Sequence, residues 1–317
     1  MKLFIAKQEP RLPLIDLLRN ETQIFQQMPP SISSFLSSEV KAECYLIPHD
    51  ASHWSNHYFR YVKTLSKQKP ILFFNRSDIP RQISMSNAIS IQTSLTSPIK
   101  MKTIIVPYNI RALSSRKNRL YSARPKISFV GFVPRLGVRR LLRSFETDPL
   151  HPLRHNSAFI RKCGIRELSR VFPSANIIER KHYGGARSLI SEVNSFREEY
   201  ESSIYESDLV FAPRGDANSS QRYFETLSAG RVPIVPDTKI FFPRTLGTEK
   251  PIMVSCKYSS VDVYEKVMLF WSQLTKDSYL EIQSFNRDFF RDQLDYSVYI
   301  HQLMTFDYNF IQENLSY

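Results

Sequence analysis

"LVFAPRGDANSSQRYFETLSAGRVPIVPDT", residues 209 to 238, decides how the fold is read. An apolar run of strand length enters a polar Gly-Asp-Asn-Ser-Ser turn, a helical stretch follows with Arg222 three residues before Glu225, and Gly230 separates it from a second apolar run. That is a strand-turn-helix-strand unit, the building block of a parallel sheet. Asn218 is placed to cap the helix with Gln221 three residues on, and Gly230 to stop it. A helix start presents free N–H groups and the positive end of the peptide dipoles. With Ser219, Ser220 and a preceding Arg214, such a start suits an anion, above all a phosphate. Helix periodicity puts Arg222 and Glu225 on a common face, either aimed at the same crevice or paired with each other.

Working outward, "ECYLIPHD" (43–50), "PILFFNRSD" (70–78), "NAISIQTS" (87–94) and "KTIIVPYN" (102–109) are continuous apolar runs, each closed by a polar or proline turn. Continuous rather than alternating runs mark strands covered on both faces. "RALSSRKNRLYSARPK" (111–126) is polar and basic and reads as a linker. Beyond it "ISFVGF", "ANIIER", "DLVFAP", "VPIVPD" and "PIMVSC" continue the strands, with "GVRRLLRSFE" expected as a helix carrying Leu141, Leu142 and Phe145 on one side. Aromatic residues at helical spacing fill the stretch after Val261. The alternation predicts an α/β chain of two doubly wound, Rossmann-like halves with a helical tail. The expected domains are residues 1–124, residues 125–290, and a last helix, 291–317, packing back on the first.

The chain of 317 residues carries a net charge of +13, which calls for an anionic partner such as nucleic acid, a membrane surface or a phosphorylated substrate, although a solvated basic face accounts for much of it. No stretch has the length of a membrane span. The N-terminal apolar run before Lys7 is too short for a signal-peptide core, so a start in the cytoplasm is expected. Cys44, Cys163 and Cys256 lack the spacing of a metal site.

The stretch "ESDLVFAPRGDANSSQRYFETLSAGRVPIV" resembles the signature of the exostosin-like glycosyltransferase family: an apolar strand ending in Pro-Arg-Gly, a Ser-x-Arg-x-x-Glu helix, and a Gly-x-Val-Pro-Ile strand. "YLIPHD", "ILFFNRSD", "IIVPYN" and "ISFVGF" are similar, in order, to the family's earlier strands. The resemblance implies a GT-B fold, two Rossmann-like domains facing across a cleft, and inverting transfer from a UDP-sugar without a metal. The sequence contains no Asp-x-Asp, the motif with which transferases of the other major fold hold a metal ion on the diphosphate. By the same resemblance Glu225 suits the ribose hydroxyls, and Arg214, Ser219, Ser220 and Arg222 suit the diphosphate. Gly131 would let backbone approach the donor, and Arg135 or Arg139 would add positive charge unless they lie on a solvated helix face. The family often has Cys where this chain has Arg231.

An inverting displacement needs a group to accept the acceptor's proton. "PHDASHWSNHY" offers Asp50 as the base with His49 and His53 as neighbours, although N-caps and surface histidines account for the same residues. The expected substrates are a nucleotide sugar and a glycan or glycoconjugate hydroxyl, with no cofactor and with peripheral contact to a membrane surface. A GDP-sugar enzyme of the fucosyltransferase type is the alternative within enzymes. A basic nucleic-acid-binding protein is the alternative outside them, although no nucleic-acid motif is present.

Overall fold

The computed structural model describes residues 2–5, 38, 40–47, 55–75, 83, 85–95, 102–113, 118–147, 150–180, 190–245, 247–257 and 262–317. The chain forms two compact units. One comprises residues 1–109, 241–248 and 292–317; the other comprises 110–240 and 249–291. Against the expected boundary at 124, the first stretch of the first unit ends at Asn109. The stretch read as a linker belongs to the second unit. There Trp271 Nε1 donates to the Ser122 carbonyl at 3.0 Å, Tyr121 stacks on Trp271 with ring centroids 5.2 Å apart, and Leu113 is buried.

The first unit holds a parallel sheet of β1 (Leu3–Ile5), β2 (Cys44–Ile47), β3 (Ile71–Phe74), β4 (Ala88–Gln92) and β5 (Thr103–Ile105), in that order. Strands added always on the same side place right-handed crossovers on one face. On one face Tyr58 and Val62 of α1 (Asn56–Leu65) pack with Tyr45, Ile47, Ile71 and Phe73. On the other, Cys44, Leu46, Leu72, Ile89, Ile91 and Ile104 are covered by Tyr296, Tyr299, Ile300, Leu303 and Met304 of the C-terminal segment. The helical tail is therefore the second layer of this sheet.

The second unit's sheet contains β6 (Ile127–Phe132), β7 (Asn176–Arg180), β8 (Leu209–Phe211), β9 (Val232–Asp237) and β10 (Val254–Lys257), all parallel, in the order β10-β9-β8-β6-β7. The chain runs from β6 outward to β7, then returns to lay β8 on the opposite side of β6. The order reverses there, and ligands of such sheets bind outside the carboxyl ends of the strands at that reversal. Its helices are α2 (Val138–Thr147), a 3-10 turn Pro152–His155, α3 (Ser157–Val171), α4 (Ile190–Tyr205), α5 (Gln221–Ser228), α6 (Val263–Ser272) and α7 (Lys276–Phe289). α8 (Tyr296–Thr305) then returns to the first unit. The α/β class, the two parallel sheets and the helical tail are those expected from the sequence. No helix among the described residues is long and apolar enough to cross a membrane.

The helix over "GVRRLLRSFE" forms as α2, as expected, and the side carrying Leu141, Leu142 and Phe145 faces solvent. Arg231, just before β9, is buried: Nη1 donates to Gln283 Oε1 at 2.6 Å and Nη2 to the Tyr205 carbonyl at 3.1 Å. Asp208, at the entry to β8, accepts from Arg119 at 2.7 Å and from Tyr279 at 2.6 Å. These polar groups lie at the amino ends of the strands, the edge opposite the reversal's carboxyl side, with the Arg231 Nε left without a hydrogen-bond partner among the described residues.

Candidate functional site

At the carboxyl ends of β6 and β8 the chain builds a basic turn. Arg214 follows β8 and is 3% exposed. Its Nε donates to the Gly215 carbonyl at 3.3 Å, Nη2 to the Asp216 carbonyl at 3.0 Å, and Nη1 to His155 Nδ1 at 3.1 Å. A guanidinium has no acceptor, so His155 Nδ1 accepts this bond without a proton of its own. Two carbonyls and an imidazole thus hold the guanidinium in one orientation. Arg161 of α3 joins the two strand ends, Nη1 donating to the Phe132 carbonyl at 2.5 Å and Nε to the Arg214 carbonyl at 3.2 Å.

Asp216 accepts from Arg140 of α2 and, at 2.9 Å, from the Ser157 hydroxyl. Burial alone would raise its carboxyl, but those two hydrogen bonds, with the charges of Arg140 and Arg161, outweigh burial and hold it below the ordinary carboxylate range. The Gly215 N–H donates to the Ser219 carbonyl at 2.9 Å and closes the turn.

The cap of α5 is not the one expected. Asn218 Nδ2 donates to the carbonyls of Thr238 and Lys239 at 3.1 and 2.9 Å, and its Oδ1 accepts from the Thr238 hydroxyl at 2.9 Å. It latches the turn to the end of β9, a long-range pairing that outcompetes local capping. The N-cap is Ser220, with no side-chain capping bond. The first turn of α5 thus keeps N–H groups with no intrahelical acceptor. Ser219 and Ser220, both buried, directly precede them, and buried Arg214 lies earlier in the same turn.

Arg222 and Glu225 share α5 but bond elsewhere. Arg222 Nη2 donates to the Val130 carbonyl of β6 at 2.7 Å, and its guanidinium lies over the rings of Phe129 and Tyr200 at 4.5 and 5.6 Å. A side chain at Gly131 would overlap that Nη2, so the room beside this glycine is occupied by the protein's own arginine. Glu225 is 5% exposed; Oε1 accepts from Arg197 Nη1 at 2.8 Å and Oε2 from the Tyr200 hydroxyl. Burial, with the Glu225 charge second, pushes the Tyr200 phenol well above its ordinary range, which fixes it as a donor. Burial works against the Arg197 cation, yet bonds and charges from Glu201 and Glu225 raise it further.

Of the sequence-derived candidates, Gly131, Arg214, Ser219, Ser220, Arg222 and Glu225 belong to this one strand edge and its helix. Arg135 and Arg139 are exposed; the α2 arginine that reaches the turn is Arg140. Asp50, His49 and His53 lie outside the described residues. Sequence reasoning missed Arg140, His155, Arg161, Arg197 and Tyr200. Only Arg140 was signalled, by its place on the helix after the glycine strand. No group of three or more His, Cys, Asp or Glu fit to hold a metal occurs among the described residues.

No protein-family model matches the chain, and no curated protein matches it. Among solved structures it is similar to MurG of Acinetobacter baumannii, at a TM-score of 0.37 and 8% identity over 96% of this chain and 99% of that one. It is also similar to a GtfA/B complex, at a TM-score of 0.37 and 11% identity over 94% of this chain and 62% of that one. Similarity this low assigns neither an activity nor a site residue.

Proposed function

We propose that the chain is an inverting, metal-independent glycosyltransferase. It would move a sugar of the xylose, glucuronic acid, galactose or arabinose type from UDP to a hydroxyl of a glycan or glycoconjugate. The observation that carries this reading is the start of α5 at the strand-order reversal, where buried Ser219 and Ser220 precede N–H groups that have no intrahelical acceptor and buried Arg214 lies in the same turn. That is the equipment for a diphosphate held without a metal. Glu225 keeps further lone pairs beyond the two occupied by Arg197 and Tyr200, and a carboxylate can take ribose hydroxyls on them. Arg222, bonded to Val130, is assigned to fixing α5 against β6 and to the electrostatics of the diphosphate. Asp50, flanked by His49 and His53, is the proposed base. The resemblance to exostosin-like transferases supplies the donor class.

The test is thermal stabilisation of the full chain by nucleotides without added metal. UDP should raise the melting midpoint; at about 100 times its Kd the linkage is worth about 2.7 kcal/mol. Glu225→Ala should weaken the effect and Arg214→Gln abolish it. Stabilisation by GDP alone would move the donor to the fucosyltransferase type. A response to random oligonucleotides with none to any nucleotide sugar would replace the reading with nucleic-acid binding.

A further inference from the structure

Helix α2 is amphipathic in the inverted sense. Val138, Leu141, Leu142 and Phe145 recur at helical spacing on one stripe, and they are 74%, 37%, 57% and 46% exposed. Leu136, just before the helix, is 52% exposed. The side facing the protein is polar: Ser144 is buried with its hydroxyl donating to the Arg140 carbonyl at 2.8 Å, and Arg140 reaches Ser157 and Asp216. Polar groups thus anchor the helix while its hydrophobic stripe is left to solvent. A contiguous apolar surface of this kind marks an interaction site.

The charge beside the stripe selects the partner. Arg135 and Arg139 are exposed next to it, on a chain of net charge +13. A second copy docked on the same face would bring like charges together. An anionic lipid surface satisfies both features, with the leucines and phenylalanine among the acyl chains and the arginines at the headgroups.

We propose that α2 is a membrane-docking helix that lies in the surface of an anionic bilayer. Through the Arg140 to Asp216 pair it is tied to the turn after β8, so docking brings the basic turn of the second unit to the lipid interface. An acceptor carried in the membrane would then be within the enzyme's reach. The docking itself does not rest on the transferase reading, since lipid binding is measured with no nucleotide present.

The experiment sediments the full chain with vesicles of phosphatidylcholine alone and of phosphatidylcholine mixed with phosphatidylglycerol. Binding to the mixed vesicles and not to phosphatidylcholine alone is expected, weakening as salt is raised. The double variant Leu142→Gln/Phe145→Gln should lower the partition coefficient about tenfold or more. Its thermal midpoint should stay at the wild-type value, because both side chains are exposed. Arg135→Glu/Arg139→Glu should lower partitioning severalfold. The proposal fails if the wild-type chain stays in the supernatant. It also fails if the glutamine variant partitions as well as wild type, since binding would then be charge alone. A wild-type dimer that the glutamine variant splits into monomers would assign the face to self-association instead.

Discussion

Gly131 and Arg222 compete for one space: a methyl group on the glycine would overlap Nη2 of the arginine, the atom that bonds the Val130 carbonyl. Gly131→Ala therefore forces Arg222 off β6. The loss of one charge-assisted bond predicts destabilisation of about 1.5 to 3 kcal/mol, or roughly 3 to 10 °C in melting midpoint. Arg222→Gln should cost a similar amount, and the double variant much less than the sum, because both remove the same bond. Additive losses in calorimetry would show that the two residues act separately.

Tyr200→Phe removes the hydroxyl that donates to Glu225 Oε2 and leaves that buried oxygen one donor short. The expected loss is about 1 to 3 kcal/mol of stability. Under the proposed function, UDP affinity falls as well, because the carboxylate is no longer held in one orientation. Arg197→Lys, which keeps the charge but loses the fork geometry, should fall between wild type and Arg197→Ala in UDP affinity measured by titration calorimetry.

Arg231 sits fully buried with Gln283 and the Tyr205 carbonyl as partners. Arg231→Ala leaves both acceptors short of a donor and opens a cavity, so a loss of about 3 to 5 kcal/mol is expected. Arg231→Met fills most of the volume and should be the milder change. The order of their denaturation midpoints in urea decides the matter.

Alkaline pH should weaken the fold before the surface lysines titrate. Burial, with the nearby Glu43 charge second, pushes the Cys44 thiol up to about 12. Burial, with Asp262 and Asp237 next, does the same for Cys256. Tyr223, Tyr279 and Tyr299 are raised chiefly by burial. Each group keeps its proton in the folded chain at a pH where the unfolded chain has released it. Their stabilising contribution is therefore complete below the unfolded pKa, about 8.5 for the thiols and about 10 for the phenols, and is lost as pH rises through the folded value. Each titrating group steepens the loss by up to about 1.4 kcal/mol per pH unit. Urea midpoints measured from neutral pH upward should decline from near pH 9. In the native protein a thiol reagent should modify partly exposed Cys163 first and leave Cys44 and Cys256 protected.

Much of this architecture could be read from the chain. "CYLI" and "ILFF" are unbroken apolar runs, and "AISIQ" and "ISFVGF" carry only small or single polar residues among apolar ones, the look of strands buried on both faces. β1 escaped notice because Leu3–Ile5 is too short to stand out. The period of α2 was legible but its direction was not: spacing tells which residues share a face, not what that face meets. Asn218 has the local look of a cap, and only the fold brings the Thr238 and Lys239 carbonyls within its reach. Arg161, Arg197 and Tyr200 sit in ordinary helical sequence, and nothing local distinguishes them from solvated side chains. Their roles come from strand order, which joins residues dozens of positions apart.

The first unit is assembled from three separated pieces of chain, and its sheet keeps one face covered by Tyr296, Tyr299, Ile300, Leu303 and Met304. During synthesis, then, residues 1–109 emerge first yet cannot be completed first. Every residue of the second unit has been made before the covering helix leaves the ribosome. The unit encoded later is the one able to close earlier, and until the C-terminal segment arrives the strands around Leu46, Leu72 and Ile91 hold an open apolar face.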